Sequence, residues 1–204
     1  MMAKLLAYGK HIVITAFIGL SAQLDAFYIA TTILSIAIFS FGDIFDSLGI
    51  PCLVDTLQKE GEKKFKELAG SILTLAVLLA VVLCGVLLLM APWTPWIAPG
   101  FTPEKKGYVL QNLFFLAPMA IFFLPYHALG SFLRARRRFQ AFYVSECLFG
   151  VVALVIVLIW HDLPFIIPIS ISLAYVLAFL YVIAASRQEI SLNIRLRGEK
   201  IQGI

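Results

Sequence analysis

Apolar residues dominate the chain in runs that are long enough to cross a bilayer as helices. The clearest run is 68–91, LAGSILTLAVLLAVVLCGVLLLMA, which contains no charged residue. A spanning helix needs about 20 mostly apolar residues and satisfies its own backbone hydrogen bonds. Because the runs are continuous rather than alternating, they do not fit a β-barrel. The pattern predicts six membrane helices, at about residues 5–22, 25–57, 67–93, 107–133, 139–160 and 164–185.

The connections between these helices have their own signals. The second predicted helix is too long for one straight span, and Gly49 and Pro51 predict a break, with 52–58 continuing as a turn or elbow. Segment 91–106, APWTPWIAPGFTPEKK, is rich in proline and tryptophan, as is typical of an interfacial loop with aromatic anchors. The chain is thus predicted to form a transmembrane bundle over 1–186 and a polar cytoplasmic tail over 187–204.

Charge gives the orientation of the predicted bundle. Only 14% of the residues are charged, against roughly 25% in soluble domains. All of the 16 basic residues except Lys105 and Lys106 lie at alternate ends of the helices. The positive-inside rule therefore predicts that both termini are cytoplasmic. The basic run RARRR (134–138) caps an apolar span, so we interpret it as a topology signal and expect no nucleic acid partner.

Two carboxylates, Asp43 and Asp46, interrupt the apolar run of the second predicted helix. At helical spacing, Asp46 lies on a stripe of small and polar residues that Asp43 and Asp25 flank; its other members are Tyr28, Thr31, Ser35, Phe39, Gly42 and Gly49. Such a face either lets a neighbouring helix approach closely or lines a wet cavity. An acid at mid-membrane costs roughly 2.5–3.5 kcal/mol on insertion scales, so the pair indicates a polar interior, a cation partner or a shared proton. Alternatively, both acids lie near the cytoplasmic interface and are hydrated there.

Three other polar residues lie inside predicted spans. Glu146 could pair with Arg138 or another arginine, in a structural or a functional role. His127 is interpreted as a structural histidine, with titration or ligand binding as the alternative. Lys10 either extends its side chain to the cytoplasmic surface or faces the same cavity as the acids.

Catalytic and metal-binding signatures are not found in the sequence. It contains no Walker motif and no nucleophile elbow, and its three cysteines have spacings unlike those of a metal site. We therefore expect a protein that is not an enzyme and that binds no cofactor and no metal.

Four segments, taken in order along the chain, resemble the MurJ/MviN family of the MOP exporter superfamily. They are GLSAQLDAFYIA (19–30), IPCLVDTLQKEGEKKFKELAGSILTL (50–75), APWTPWIAPGFTPEK (91–105) and ALGSFLRARRRFQAF (128–142). The third segment is the most specific. The resemblance covers about residues 5–186, and the common order of the segments is the feature that points to this family.

The resemblance implies an all-α polytopic membrane protein, with a six-helix bundle like the N-terminal lobe of a MOP-superfamily exporter. Members flip lipid II, a lipid-linked peptidoglycan precursor, across the bacterial inner membrane by alternating access. By position, Lys10 and Asp25 would contact the headgroup of such a lipid-linked glycan. Asp43, Asp46 and Glu146 would couple transport to an ion or a proton.

Two departures from the family pattern bear on this expectation. Ile38 stands where the family has an arginine, which makes the expected cavity less cationic and leaves a related carrier-lipid substrate open. Family members have about fourteen helices in two repeats, so six helices would need a C-terminal half protein or a homo-oligomer. The alternatives are a truncated, scaffold-like membrane protein that does not transport, and a small-molecule exporter of the same superfamily.

Overall fold

The computed structural model describes residues 21–96 and 100–187, and every regular element in this part of the chain is a helix. Five of these helices are long and apolar enough to cross a membrane. They are α1 (Ala22–Lys59), α2 (Gly61–Met90), α3 (Pro103–Ala135), α4 (Phe139–Ile159) and α5 (Ile166–Ser186). They match five of the six predicted spans, which confirms the all-helical class. Residues 5–20 of the predicted span 5–22 lie outside the described residues, so the count of six stays a prediction.

Helix α1 is continuous through the position where a break was predicted, so that prediction is wrong. Pro51 lies at the start of its last α-helical segment, and residues 52–58 are helical rather than an elbow. A proline ring clashes with the carbonyl four residues earlier. A π turn, whose hydrogen bonds span five residues, relieves that clash without ending the helix. The π segments of α1 are Ser35–Phe39 and Phe45–Gly49.

Helix α2 begins about six residues before the predicted position. Gly61 has a φ of +84°, a left-handed value that glycine adopts without strain, and it reverses the chain directly after α1. The charged run that follows is an amphipathic helical turn, since Phe65 and Ala69 are buried while Lys63 and Lys64 are exposed. The apolar face of this run, rather than its charge, decides where the helix begins.

Helix α3 is the centre of the bundle. It packs against α1, α2 and α5, and α5 in turn packs against α4. Pro118 and Pro125 lie inside α3 without ending it. Small residues allow the close packing, because Ala120, Ala128 and Gly130 present little side-chain volume at buried positions.

A tight turn of three arginines joins α3 to α4 and holds the neighbouring helix ends together. Arg137 adopts a left-handed φ of 60°. The Arg138 guanidinium donates to the Ala185 carbonyl at the end of α5, with an N–O distance of 3.3 Å. Arg136 forms an ion pair with Glu62 at the start of α2. The basic ends of α2, α3, α4 and α5 therefore meet on one side of the bundle, opposite Lys105, as the charge pattern predicts.

Replacing Gly130 by alanine tests the close packing around α3. A Cβ at this position would lie 2.3 Å from Cε2 and 2.6 Å from Cδ2 of Phe142, whose ring is 2% exposed and has little room to move. We expect Gly130→Ala to lower the free energy of unfolding in mixed micelles by about 1–3 kcal/mol, as overpacking does. Gly85→Ala is the matched control, because nothing lies within 4 Å of its Cβ position. Equal stability of the two variants would contradict the packing described for α3.

Candidate functional site

The part of the small and polar stripe of α1 from Phe39 to Gly49 faces α3. The Phe39 ring stacks on Phe123 with centroids 4.5 Å apart. At Gly42, an added Cβ would lie 2.6 Å from Cε1 of Phe123 and 3.5 Å from Cδ2 of His127. Of the two interpretations of this stripe, close approach of a neighbouring helix therefore holds at these positions.

Asp46 extends from this face to Arg134 near the end of α3. The two side chains form a bidentate ion pair, in which Arg134 Nη1 donates to Asp46 Oδ2 at 3.0 Å and Nη2 donates to Oδ1. The Asp46 side chain is 29% exposed and that of Arg134 is 13% exposed. Bidentate guanidinium–carboxylate pairs are among the strong protein hydrogen bonds. Of the three explanations for a membrane acid, Asp46 therefore fits the cation partner.

Other contacts fix the arginine in this position. Arg134 Nε donates to the Gly130 carbonyl one turn earlier in α3, at 3.1 Å. Its guanidinium carbon lies 4.2 Å from the ring centroid of Phe142 in α4, a distance at which the ring attracts a cation. Arg134 thus joins α1, α3 and α4 through a single side chain.

Further polar groups surround the ion pair inside the bundle. His127 Nδ1 lies 3.6 Å from Asp46 Oδ2. The hydroxyls of Tyr126 and Ser145, both buried, are hydrogen-bonded at 2.8 Å. Glu146, half-buried in α4, interacts electrostatically with Asp46, His127 and Arg134. We call this group the polar cluster; its members are Asp46, Tyr126, His127, Arg134, Ser145 and Glu146.

Asp25 lies far from the polar cluster. It occupies the first turn of α1, and its carboxylate accepts a hydrogen bond from Lys105 Nζ at 2.9 Å. At 1.5 Å per residue, the 21 positions between Asp25 and Asp46 correspond to roughly 30 Å along the helix. The predicted headgroup residue and the predicted coupling residues are thus at opposite ends of α1.

The remaining candidates have different surroundings. Asp43 is exposed, and among the described residues it forms no ion pair. Glu146 is not paired with Arg138, whose guanidinium binds the Ala185 carbonyl instead. Ile38 is fully buried in the first π segment, so the position where the family has an arginine packs into the core here. Lys10 lies outside the described residues.

Sequence reasoning missed the partners of both principal acids. Arg134 is 88 positions from Asp46, and Lys105 is 80 positions from Asp25. No spacing rule connects residues so far apart, and both cations were explained by topology alone. The available signal was the need of a membrane acid for a cation, which Arg134 fulfils for Asp46.

Metal binding finds no support in the described part of the chain. No group of three or more histidine, cysteine or acidic side chains is close enough to hold an ion there. The ion pair and the contacts of Arg134 in the polar cluster connect α1, α3 and α4.

Comparison with known proteins identifies the family. The model of the lipid II flippase MurJ family matches residues 14–202. This chain belongs to the MurJ family. The fold agrees, because a solved structure of lipid II flippase MurJ in an inward closed conformation superposes with a TM-score of 0.69 over 91% of this chain, at 11% identity. This chain covers 41% of that MurJ chain. A search of curated proteins found no match.

Removing the carboxylate of Asp46 or of Asp43 compares the contribution to stability of an acid inside the bundle with that of an acid on its surface. We expect Asp46→Ala to lower the free energy of unfolding by at least about 2 kcal/mol, because it leaves the Arg134 guanidinium enclosed without its carboxylate. Asp43→Ala is the matched control and should change stability little, since it removes an exposed acid. Unfolding of both variants by sodium dodecyl sulfate in mixed micelles gives the comparison. Similar losses in the two would contradict a special role for Asp46 in stability.

Proposed function

We propose that this chain forms one lobe of an alternating-access flippase for a lipid-linked glycan precursor of the lipid II type. The observation that carries the proposal is the family match over residues 14–202. The MurJ-like fold of α1–α5 supports it. We assign the protein to the bacterial inner membrane, with six helices once the predicted span 5–22 is included, and with both termini cytoplasmic. Its task is transport rather than catalysis.

The outer surface of α1 supports a role beside a second lobe. Between positions 28 and 47, its exposed residues include five polar ones, namely Tyr28, Thr32, Ser40, Asp43 and Ser47. The threonine and serine hydroxyls bond to carbonyls of the same helix; Thr32 Oγ1, for example, donates to the Tyr28 carbonyl at 2.8 Å. The Asp43 carboxylate has no such internal partner, and a charged group facing hydrocarbon is costly. This surface therefore fits a water-filled path between two lobes better than contact with lipid tails.

We infer the residue roles from the resemblance to the family. Lys10 and Asp25 would contact the substrate headgroup, and Lys105 would hold the Asp25 carboxylate in place until the headgroup arrives. Asp43, Asp46 and Glu146 would couple transport to an ion or a proton, with Asp46 exchanging its bond to Arg134 in one of the two states. Coupling requires that the ligand bind the two states with different affinity.

A second lobe is required by the mechanism, because alternating access moves two bundles against each other. Since this chain covers 41% of the solved MurJ chain, we propose that further helices complete the transporter. They would come from a C-terminal half protein or from a second copy of this chain.

Growth of a bacterium depleted of its own lipid II flippase tests the proposal. We expect growth when the chain is expressed with the complementary C-terminal helices of a family member. Growth with this chain alone would support a homo-oligomer. If neither combination supports growth although the chain is folded in the membrane, the lipid II assignment is wrong, and a scaffold or a small-molecule exporter takes its place.

Asp25→Asn in the growing combination tests the headgroup site. Loss of the charge should abolish growth while the amount of folded protein is unchanged. Asp162→Asn is the control, because its carboxylate is 92% exposed in the loop between α4 and α5. Equal growth of the two variants would remove Asp25 from the substrate site.

A further inference from the structure

A basic groove lies at the arginine-rich end of the bundle, outside the polar cluster and away from the exposed surface of α1. It has a volume of about 620 Å³ and lies between the start of α4 and the last turns of α5. Its lining combines two arginines, Arg137 and Arg138, with an apolar wall that includes Phe139, Val144 and Tyr181. No acidic residue belongs to its described lining.

We propose that this groove binds the headgroup of an anionic phospholipid of the cytoplasmic leaflet, with the phosphodiester at the arginines and the start of an acyl chain along the wall. The proposal rests on the orientation proposed above, but not on the transport of any substrate. Basic pockets between membrane helices on the cytoplasmic side are suited to anionic headgroups.

The fold holds the positive charge at the groove in place. Arg137 is exposed and has a left-handed φ of 60°, which the tight turn between α3 and α4 imposes. Arg138 is anchored by its bond to the Ala185 carbonyl. The turn therefore places two arginines at adjacent positions, and guanidinium groups match the geometry of phosphate oxygens.

The apolar side chains beside the arginines favour a lipid over a soluble phosphate. Phe139 is 46% exposed and Val144 is 50% exposed, directly beside the arginines. A lining that combines guanidinium groups with apolar side chains complements a molecule with both a phosphate and a hydrocarbon chain. The first turn of α4 has no side-chain cap, so its positive dipole end adds to the field of the arginines.

Lipid binding to the purified full chain, counted by native mass spectrometry, tests the proposal. We expect phosphatidylglycerol to bind and phosphatidylcholine with the same acyl chains to bind far less. Charge removal in the double variant Arg137→Gln/Arg138→Gln should weaken phosphatidylglycerol binding about thirtyfold, and Arg137→Gln alone about fivefold. The single variant keeps the bond from Arg138 to Ala185, so its effect does not depend on a change in folding.

The matched control removes the same charge at the same end of the bundle. Lys63→Gln/Lys64→Gln replaces two exposed lysines of α2 that do not line the groove, and it should leave phosphatidylglycerol binding nearly unchanged. An equal loss of phosphatidylglycerol binding in this control would show that binding depends on general attraction to the charged surface rather than on the groove. That result would overturn the proposal. So would unchanged binding by Arg137→Gln, or displacement of the lipid by soluble glycerophosphoglycerol at equal concentration. Flippase complementation is a separate readout, and its failure leaves this result standing.

Discussion

The ion pair between Asp46 and Arg134 is the interaction on which the arrangement of the bundle depends. It joins the second half of α1 to the last turn of α3. The same Arg134 side chain donates to the Gly130 carbonyl and packs on Phe142 of α4. Breaking a mostly enclosed pair by removing one partner leaves a charge without compensation, which is far more costly than losing a surface pair. The position of α1 against its neighbours is therefore set by charge as well as by shape.

Two glycines allow this pair to form. Gly42 brings α1 close to Phe123 and His127, and Gly130 leaves room for the Phe142 ring beneath the arginine. With larger residues at these points the helices would move apart, and the guanidinium would no longer reach the carboxylate. Asp46 consequently faces into the bundle, whereas Asp43, three residues earlier, is exposed.

Much of the fold could be predicted from hydropathy and charge. A bilayer requires spanning helices of a minimum length and favours basic residues at their cytoplasmic ends. The predicted spans 67–93, 107–133, 139–160 and 164–185 correspond to α2, α3, α4 and α5. The course of α1 could not be predicted, because a proline usually ends a helix and a π turn that tolerates it has no clear sequence signature. The family match bears out the MurJ resemblance drawn from four short segments. The partners of Asp25 and Asp46 escaped prediction, since contacts over 80 positions depend on how helices pack rather than on local pattern.

A double-mutant cycle on Asp46 and Arg134 tests the central claim most directly. The free energy of unfolding would be measured for the wild type, Asp46→Ala, Arg134→Ala and the double variant in the same mixed micelles. We predict that the double variant is destabilised by less than the sum of the single variants, with a coupling energy of about 1–3 kcal/mol. Additive effects, with a coupling energy near zero, would show that the two residues do not stabilise each other and would contradict the account.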